Sequence, residues 1–329
     1  MLKFYKNRLY SRYLRTKPTM PKIHKPTLLI IAAFFAIYVI WGSTYLFAAF
    51  AMDELPPFYM AGSRYFTAGV LLFILTAITG RLQAISKTQW ANALFAGLLM
   101  LGFGGGFVFW ALLYVDTGFT ALVISGQPLL VLLLMWILQD QKPSNQAYLG
   151  IVFGMIGMYL LISQKSLITG PDQWKGVLAI FTSMLAWGYG SLFIAKADMP
   201  KPQMANSSIQ MMVGGGLLVL ASFIFEQPTQ INVFELESTT YLSLSYLIIF
   251  GSIIAFSAFN FLLTKVSPEK VATSTYVNPV VALFLGWFFR DELITNQSLV
   301  AAVIMLTGVF FINTKPEYTR KLLKRWRLN

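Results

Sequence analysis

The stretch QPLLVLLLMWILQDQKPSNQ, residues 127–146, meets a counterpart in NPVVALFLGWFFRDELITNQ, residues 278–297, at a constant offset of 151 residues. The match extends both ways. Leu112, Val115, Ala121, Pro128, Leu132, Leu134, Trp136, Asp140, Asn145, Gln146 and Gly157 recur as Leu263, Val266, Ala272, Pro279, Leu283, Leu285, Trp287, Asp291, Asn296, Gln297 and Gly308. Between 110–162 and 261–313, with Val152 and Val303, that makes 12 identities in 53 positions without a gap. Shared apolar residues could arise by chance. Pro, Trp, Asp and Gly in one order point to an internal duplication. Each copy is an apolar run holding a proline, a charged turn, and a second apolar run.

Composition sets the solvent. Of the 329 residues, 57% are hydrophobic and 12% are charged, against about 25% charged in a soluble domain. Such a chain belongs in a membrane, with the lipid bilayer as its first partner. With no cysteine, there can be no disulfide, zinc–thiolate site or thiol chemistry. The single histidine, His24, lies in a basic N-terminal segment.

Apolar runs predict membrane spans at 28–52, 58–79, 90–115, 118–138 and 147–163, then at 174–195, 206–225, 240–264, 271–289 and 297–313. The first run ends in the small-x-small pattern Ala49-Phe50-Ala51 but is too long for a signal peptide's apolar region. The expected fold is an all-α integral membrane protein with ten transmembrane helices. With five spans per copy, the second copy enters from the opposite face, giving two inverted five-helix repeats. The expected organisation is a basic cytoplasmic tail at 1–26, a first repeat at 27–163, a second at 174–313, and a basic cytoplasmic tail at 314–329. Trp41-Gly42 in helix 1 and Trp187-Gly188 in helix 6 fall at matching places in the two copies.

Charge supports this alternation. With the N-terminus inside, 21 of the 25 Lys and Arg residues fall on the cytoplasmic side and Lys165, Lys175 and Arg290 outside. That is the positive-inside bias. The basic tails therefore read as topology signals that meet anionic lipid, and no nucleic-acid partner is expected.

Trp41-Gly42-Ser43-Thr44, Glu54-Leu55-Pro56-Pro57, Ala61-Gly62-x-Arg64-Tyr65 and the prolines of helices 4 and 9, set in ten spans, resemble the drug/metabolite transporter superfamily, and within it the EamA-type permeases. The resemblance covers roughly residues 27–314. It implies export of small metabolites, often amino acids or drug-like compounds. That family usually carries an acid before each repeat's last helix; Glu292 matches, whereas the first copy has Gln141.

Arg64 is a charge inside the second span. At a helix centre such a residue costs about 2.5–3.5 kcal/mol on insertion scales, so it should face the interior. It reads either as a contact for a substrate carboxylate, or as a structural cation that snorkels or pairs with Asp53, Glu54 or backbone carbonyls. Pro128 and Pro279 lack an N–H and should kink their helices into hinges. Gln127 and Asn278 precede them and offer polar groups to a midplane site. Trp41, Tyr45, Trp187, Tyr189, Tyr276 and the amide of Asn260 could line an amphipathic substrate pathway, or simply pack. Trp90, Trp174 and Tyr241 read as interface anchors.

No Asp, Glu or His lies well inside a span, so proton coupling would fall to boundary acids such as Glu54, Asp116 or Glu292. No catalytic residues, metal ligands or cofactor are expected: serine–histidine chemistry lacks its base and metal chemistry lacks clustered ligands. The reading is a non-enzymatic secondary transporter, an exporter of small amphipathic metabolites acting by alternating access, placed in the cell membrane of a bacterium (the inner membrane) as a monomer or homodimer and taking a small-molecule substrate. A channel or a non-transporting receptor is the alternative.

Overall fold

The computed structural model describes residues 25–111, 114–115, 120, 123–142, 144–163, 172–228, 231–290 and 295–314. The chain divides into two units, Met1–Ala32 and Ala33–Asn329. The described part of the first is helical, and the packing below concerns the second. Both basic tails up to 24 and from 315, together with Asp116, Lys165, Asp291 and Glu292, lie outside the described residues.

Among the described residues every regular element is a helix, and eight are long and apolar enough to cross a membrane. These are α1 (Thr27–Met52), α2 (Pro57–Ile78), α3 (Lys87–Ala111), α6 (Gln173–Lys196), α7 (Gln203–Phe225), α8 (Ser238–Leu263), α9 (Pro268–Phe289) and α10 (Asn296–Asn313). Two further apolar helices, α4 (Gln127–Gln139) and α5 (Asn145–Ile162), stand outside that set. Of the expected span over 118–138, Thr120, Val123 and Ile124 are helical, and α4 after them is a helix of 13 residues. At 1.5 Å per residue that is about 20 Å, short of the ~30 Å of a hydrocarbon core.

Local chemistry starts these helices at matching places. Ser144 and Thr295 accept the backbone N–H groups of Ala147 and Ser298, so α5 and α10 carry equivalent N-caps at the 151-residue offset. Pro56 and Pro202 sit at the N-caps of α2 and α7, 146 residues apart. Trp41-Gly42 and Trp187-Gly188 share that second offset. The duplicated Asp140 ends α4 in the left-handed conformation, at φ 53°, which Asp tolerates better than most residues. The duplicated Trp136 and Trp287 are 46% and 47% exposed, on the outside of each half.

Glycine decides which helices pair. α2 packs along α7, and α5 along α10. A Cβ on Gly62 would stand 3.0 Å from the Gly215 carbonyl oxygen, and one on Gly69 2.8 Å from that of Ser208. A Cβ on Gly150 would stand 2.7 Å from the Gly308 oxygen, and one on Gly157 2.7 Å from that of Ala301. Without side chains there, backbones approach closely, the usual basis of helix association in lipid. Around these pairs, α1 packs on α8 and α9, and α6 packs on α3 and α4. Exchanging α1–α5 with α6–α10 leaves this pairing scheme unchanged.

One departure from the sequence expectation concerns a proline. Pro128 stands in the first turn of α4, after a turn at Ser125-Gly126. An N–H at that position has no intrahelical acceptor to lose, so Pro128 starts a helix instead of kinking one. Pro279 does lie inside its helix, Ser274–Arg290. The other irregularity is π-helical: Ala36–Ile40 in α1, Leu98–Gly105 in α3 and Leu247–Phe256 in α8. The segments in α3 and α8 occupy equivalent places in the two halves. π turns widen the backbone and frequently mark functional sites.

Candidate functional site: an aromatic cluster beside a buried arginine

The Trp-Gly pairs of α1 and α6 explain themselves in packing. A Cβ on Gly42 would lie 2.5 Å from Val281 Cβ and 3.2 Å from the Asn278 carbonyl oxygen of α9. A Cβ on Gly188 would lie 3.1 Å from Gln127 Nε2 of α4. Each glycine thus seats the proline-bearing helix of the other half, and the tryptophan beside it is free to turn elsewhere. Trp41 and Trp187 meet edge to face with ring centroids 6.0 Å apart. Phe259 of α8 closes the triangle at 5.2 Å from Trp41 and 5.5 Å from Trp187. Trp41 Nε1 donates to the Gly251 carbonyl oxygen at 3.0 Å, inside the α8 π segment. In the other half Ser183 Oγ donates to the Gly104 carbonyl oxygen at 2.6 Å, inside the α3 π segment.

That α3 segment links the aromatic cluster to Arg64. A Cβ on Gly104 would stand 3.1 Å from the Trp187 ring, and one on Gly105 3.8 Å from the Tyr65 ring. Arg64 Nη2 donates to the Tyr65 hydroxyl at 2.9 Å, and the guanidinium lies over the Tyr65 ring at 4.6 Å and the Phe109 ring at 6.0 Å. Arg64 is 8% exposed and its Nε has no partner. Among the described residues it faces no carboxylate: the one ion pair joins Lys175 to Asp172. Of the acids expected to pair with it, Asp53 is exposed and Glu54 is held elsewhere. Glu54 accepts from the Glu237 backbone N–H and the Thr240 hydroxyl at the start of α8. Glu226 accepts the N–H groups of Phe58 and Tyr59 at the start of α2, at 2.7 and 2.9 Å. Each half thereby caps a helix of the other with a carboxylate.

Tyr45 stands one turn beyond Trp41 on α1. It is 52% exposed.

The 146-residue offset sets Gln210 of α7 opposite Arg64 of α2. Gln210 Nε2 donates to Asn206 Oδ1 at 2.8 Å, and Gln210 Oε1 accepts from Asn260 Nδ2 at 3.2 Å. Asn260 Nδ2 also donates to Ser207 Oγ at 3.1 Å. All three amides are fully buried. The relay leaves Asn260 Oδ1 and Asn206 Nδ2 without partners at its two ends.

The expected site residues thus separate. Trp41 and Trp187 meet in the aromatic cluster, Arg64 is linked to it through Tyr65 and the α3 segment, Tyr45 stands exposed on α1, and Asn260 sits in the amide relay. Gln127 Nε2 donates to the Met184 carbonyl oxygen of α6 at 3.2 Å, and Asn278 is buried against α1. With Pro128 and Pro279 these two hold the packing of α4 and α9. Tyr189 is 42% exposed and meets Phe95 edge to face, away from the cluster. Tyr276 is fully buried with Met158 and Met305, its ring filling the space over Gly154. Sequence reasoning passed over Phe259, Tyr65, Phe109, Asn206 and Gln210. Tyr65 adjoins Arg64, and Gln210 follows once the second offset is seen.

The paired halves and their long apolar helices define a multi-pass membrane protein. The model of the EamA-like transporter family matches twice, over residues 28–163 and 174–314, and the chain belongs to that family. It is 33% identical over 296 residues to the uncharacterized inner membrane transporter YedA of Escherichia coli K12, covering 87% of this chain and 94% of that one. It is 24% identical over 297 residues to the uncharacterized transporter YoaV of Bacillus subtilis, covering 89% and 99%. A solved crystal structure shares the fold with a TM-score of 0.75 at 18% identity, over 89% of this chain and 98% of that one.

Proposed function

We propose that this transporter is a secondary carrier that exports small amphipathic metabolites, such as amino acids or drug-like compounds, by alternating access. In this reading α4 and α5 complete ten spans. Residues 27–163 and 174–313 are inverted repeats, and both termini lie on the cytoplasmic side of a bacterial inner membrane. The pathway runs along Trp41, Trp187, Tyr45 and Arg64, while Gln127-Pro128 and Asn278-Pro279 are the points about which α4 and α9 rearrange.

One observation carries the reading. The Trp41–Trp187–Phe259 cluster draws its rings from both halves, at the seam where α1 and α6 each seat a helix of the opposite half. A seam built from both halves is where rocking one against the other exposes a site first to one face and then to the other. The aromatic surface suits an apolar body, and the arginine beside it suits a polar end.

Proteoliposome counterflow with a mixture of labelled amphipathic metabolites tests this. The wild type should show saturable counterflow, and Trp41→Ala with Trp187→Ala should lower it about a hundredfold while the protein stays monodisperse, since two aromatic contacts at a binding site carry roughly 3 kcal/mol. Non-saturable flux, or full counterflow in the double variant, counts against the proposal.

A further inference from the structure

We propose that Arg64 and Tyr65 form an anion subsite that seats the carboxylate of the transported molecule. The inference rests on the transport reading above and names the chemistry of its substrate: a small carboxylate with an apolar, planar body.

Three observations support it. Arg64 is more than nine-tenths buried, yet Nη2 alone is hydrogen-bonded, to Tyr65, and Nε is sealed from solvent with no acceptor. Nη1 also makes no hydrogen bond, but is not sealed off. A guanidinium presents five donors in a rigid fork that matches a carboxylate, so the site lacks an acceptor and has the geometry to receive one. Second, among the described residues no carboxylate pairs with it. Glu54 and Glu226, the acids at these helix ends, hold the N-termini of α8 and α2. Third, the surroundings are aromatic. Tyr65 and Phe109 cover the guanidinium. Adjacent glycines in the α3 π segment bring the Trp187 ring and the Tyr65 ring to consecutive residues. A ligand anchored by its carboxylate at Arg64 would therefore lay its apolar part toward Trp187, Trp41 and Phe259.

The position equivalent to Arg64 in the other half is Gln210, whose amide is occupied at both ends. The charge is thus confined to one of the two related positions, and the carboxylate has one place to go.

The test is ligand binding to the purified, detergent-solubilised full chain, read by quenching of its tryptophan fluorescence. Three probes share a phenyl body: 3-phenylpropionate carries the acid, phenethylamine the amine, and phenylalanine both. Wild type should bind 3-phenylpropionate and phenylalanine at least about tenfold more tightly than phenethylamine. Arg64→Gln should weaken the two acids by about tenfold or more and leave phenethylamine unchanged, with Arg64→Lys in between. Equal binding of acid and amine by wild type overturns the proposal without needing any variant to fold. So does wild-type affinity for 3-phenylpropionate in folded Arg64→Gln, or no quenching by either acid at millimolar concentration. Inorganic phosphate competing as well as 3-phenylpropionate would mark a bare anion site and overturn the carboxylate assignment. Binding in detergent does not require transport. Acid-selective binding with no counterflow would therefore sink the carrier reading alone, and counterflow with no acid preference would sink the Arg64 assignment alone.

Discussion

Arg64 with Tyr65 and Phe109 occupies one half of the molecule; Gln210 with Asn206 and Asn260 occupies the equivalent place in the other. The scaffold under them is the same. The helices that carry them start at Pro56 and Pro202, and they cross through Gly62 and Gly69 on one side and Gly215 on the other. The side chains are not. One position holds a charge with one hydrogen bond and an orphaned Nε; the other holds a neutral relay of three sealed amides. Duplication supplied two frames, and divergence gave one a charge and the other a neutral amide relay. A buried charge without a counter-ion costs stability, whereas a bonded amide relay contributes it. The two sites should therefore answer mutation in opposite directions.

The largest effect should come from the shared frame. A Cβ on Gly69 would stand 2.7 Å from the Met212 backbone nitrogen, and one on Gly215 2.4 Å from that of Phe66. Backbone cannot yield as a side chain can. Gly69→Val and Gly215→Val should each cost about 3 kcal/mol or more and abolish monodisperse protein on size exclusion. If only one does, the two crossings are not equivalent.

Next come the sites themselves. Gln210→Leu removes two buried hydrogen bonds, at roughly 0.6 kcal/mol each and up to about 1.7 in a membrane protein. The melting temperature should fall by several degrees. Arg64→Leu removes an unpaired buried cation and should leave the melting temperature unchanged or raise it, while transport is lost. Parallel shifts in thermal melts of the two variants would erase the contrast between the sites.

The smallest effect tests the reciprocal caps. Glu226→Gln and Glu54→Gln each keep one oxygen and lose the charge, so each should cost about 1 kcal/mol. Similar losses in the two variants, measured by thermal melts, would support their equivalence. A loss in Glu226→Gln alone would show that the Glu54 cap adds nothing.

Much of the frame is legible in the chain. The 151-residue offset found the repeat, and the matched N-caps at Ser144 and Thr295 show it down to single hydrogen bonds. The second offset, 146 residues, is marked in sequence by Trp-Gly and by a proline before α2 and α7, but few identities lie between them. Gln210 was missed for that reason. Periodicity cannot tell a proline within a helix, such as Pro279, from one that begins a helix after a turn, such as Pro128. Tyr276 and Tyr189 look alike as aromatics with polar tips, yet one is sealed over Gly154 and the other stands half open.

Sequence alone determined the solvent, the helical class, the duplication and the family, because these depend on composition and on period, which are properties of the chain. It also marked Arg64, since a charge in an apolar run is conspicuous wherever it folds. Only tertiary structure decided what Arg64 faces, that Glu54 and Glu226 are spent on helix ends, and that Trp41, Trp187 and Phe259 meet. Those facts depend on which helices glycine allows to touch, and contacts between residues more than a hundred positions apart leave no local trace in the order of the chain.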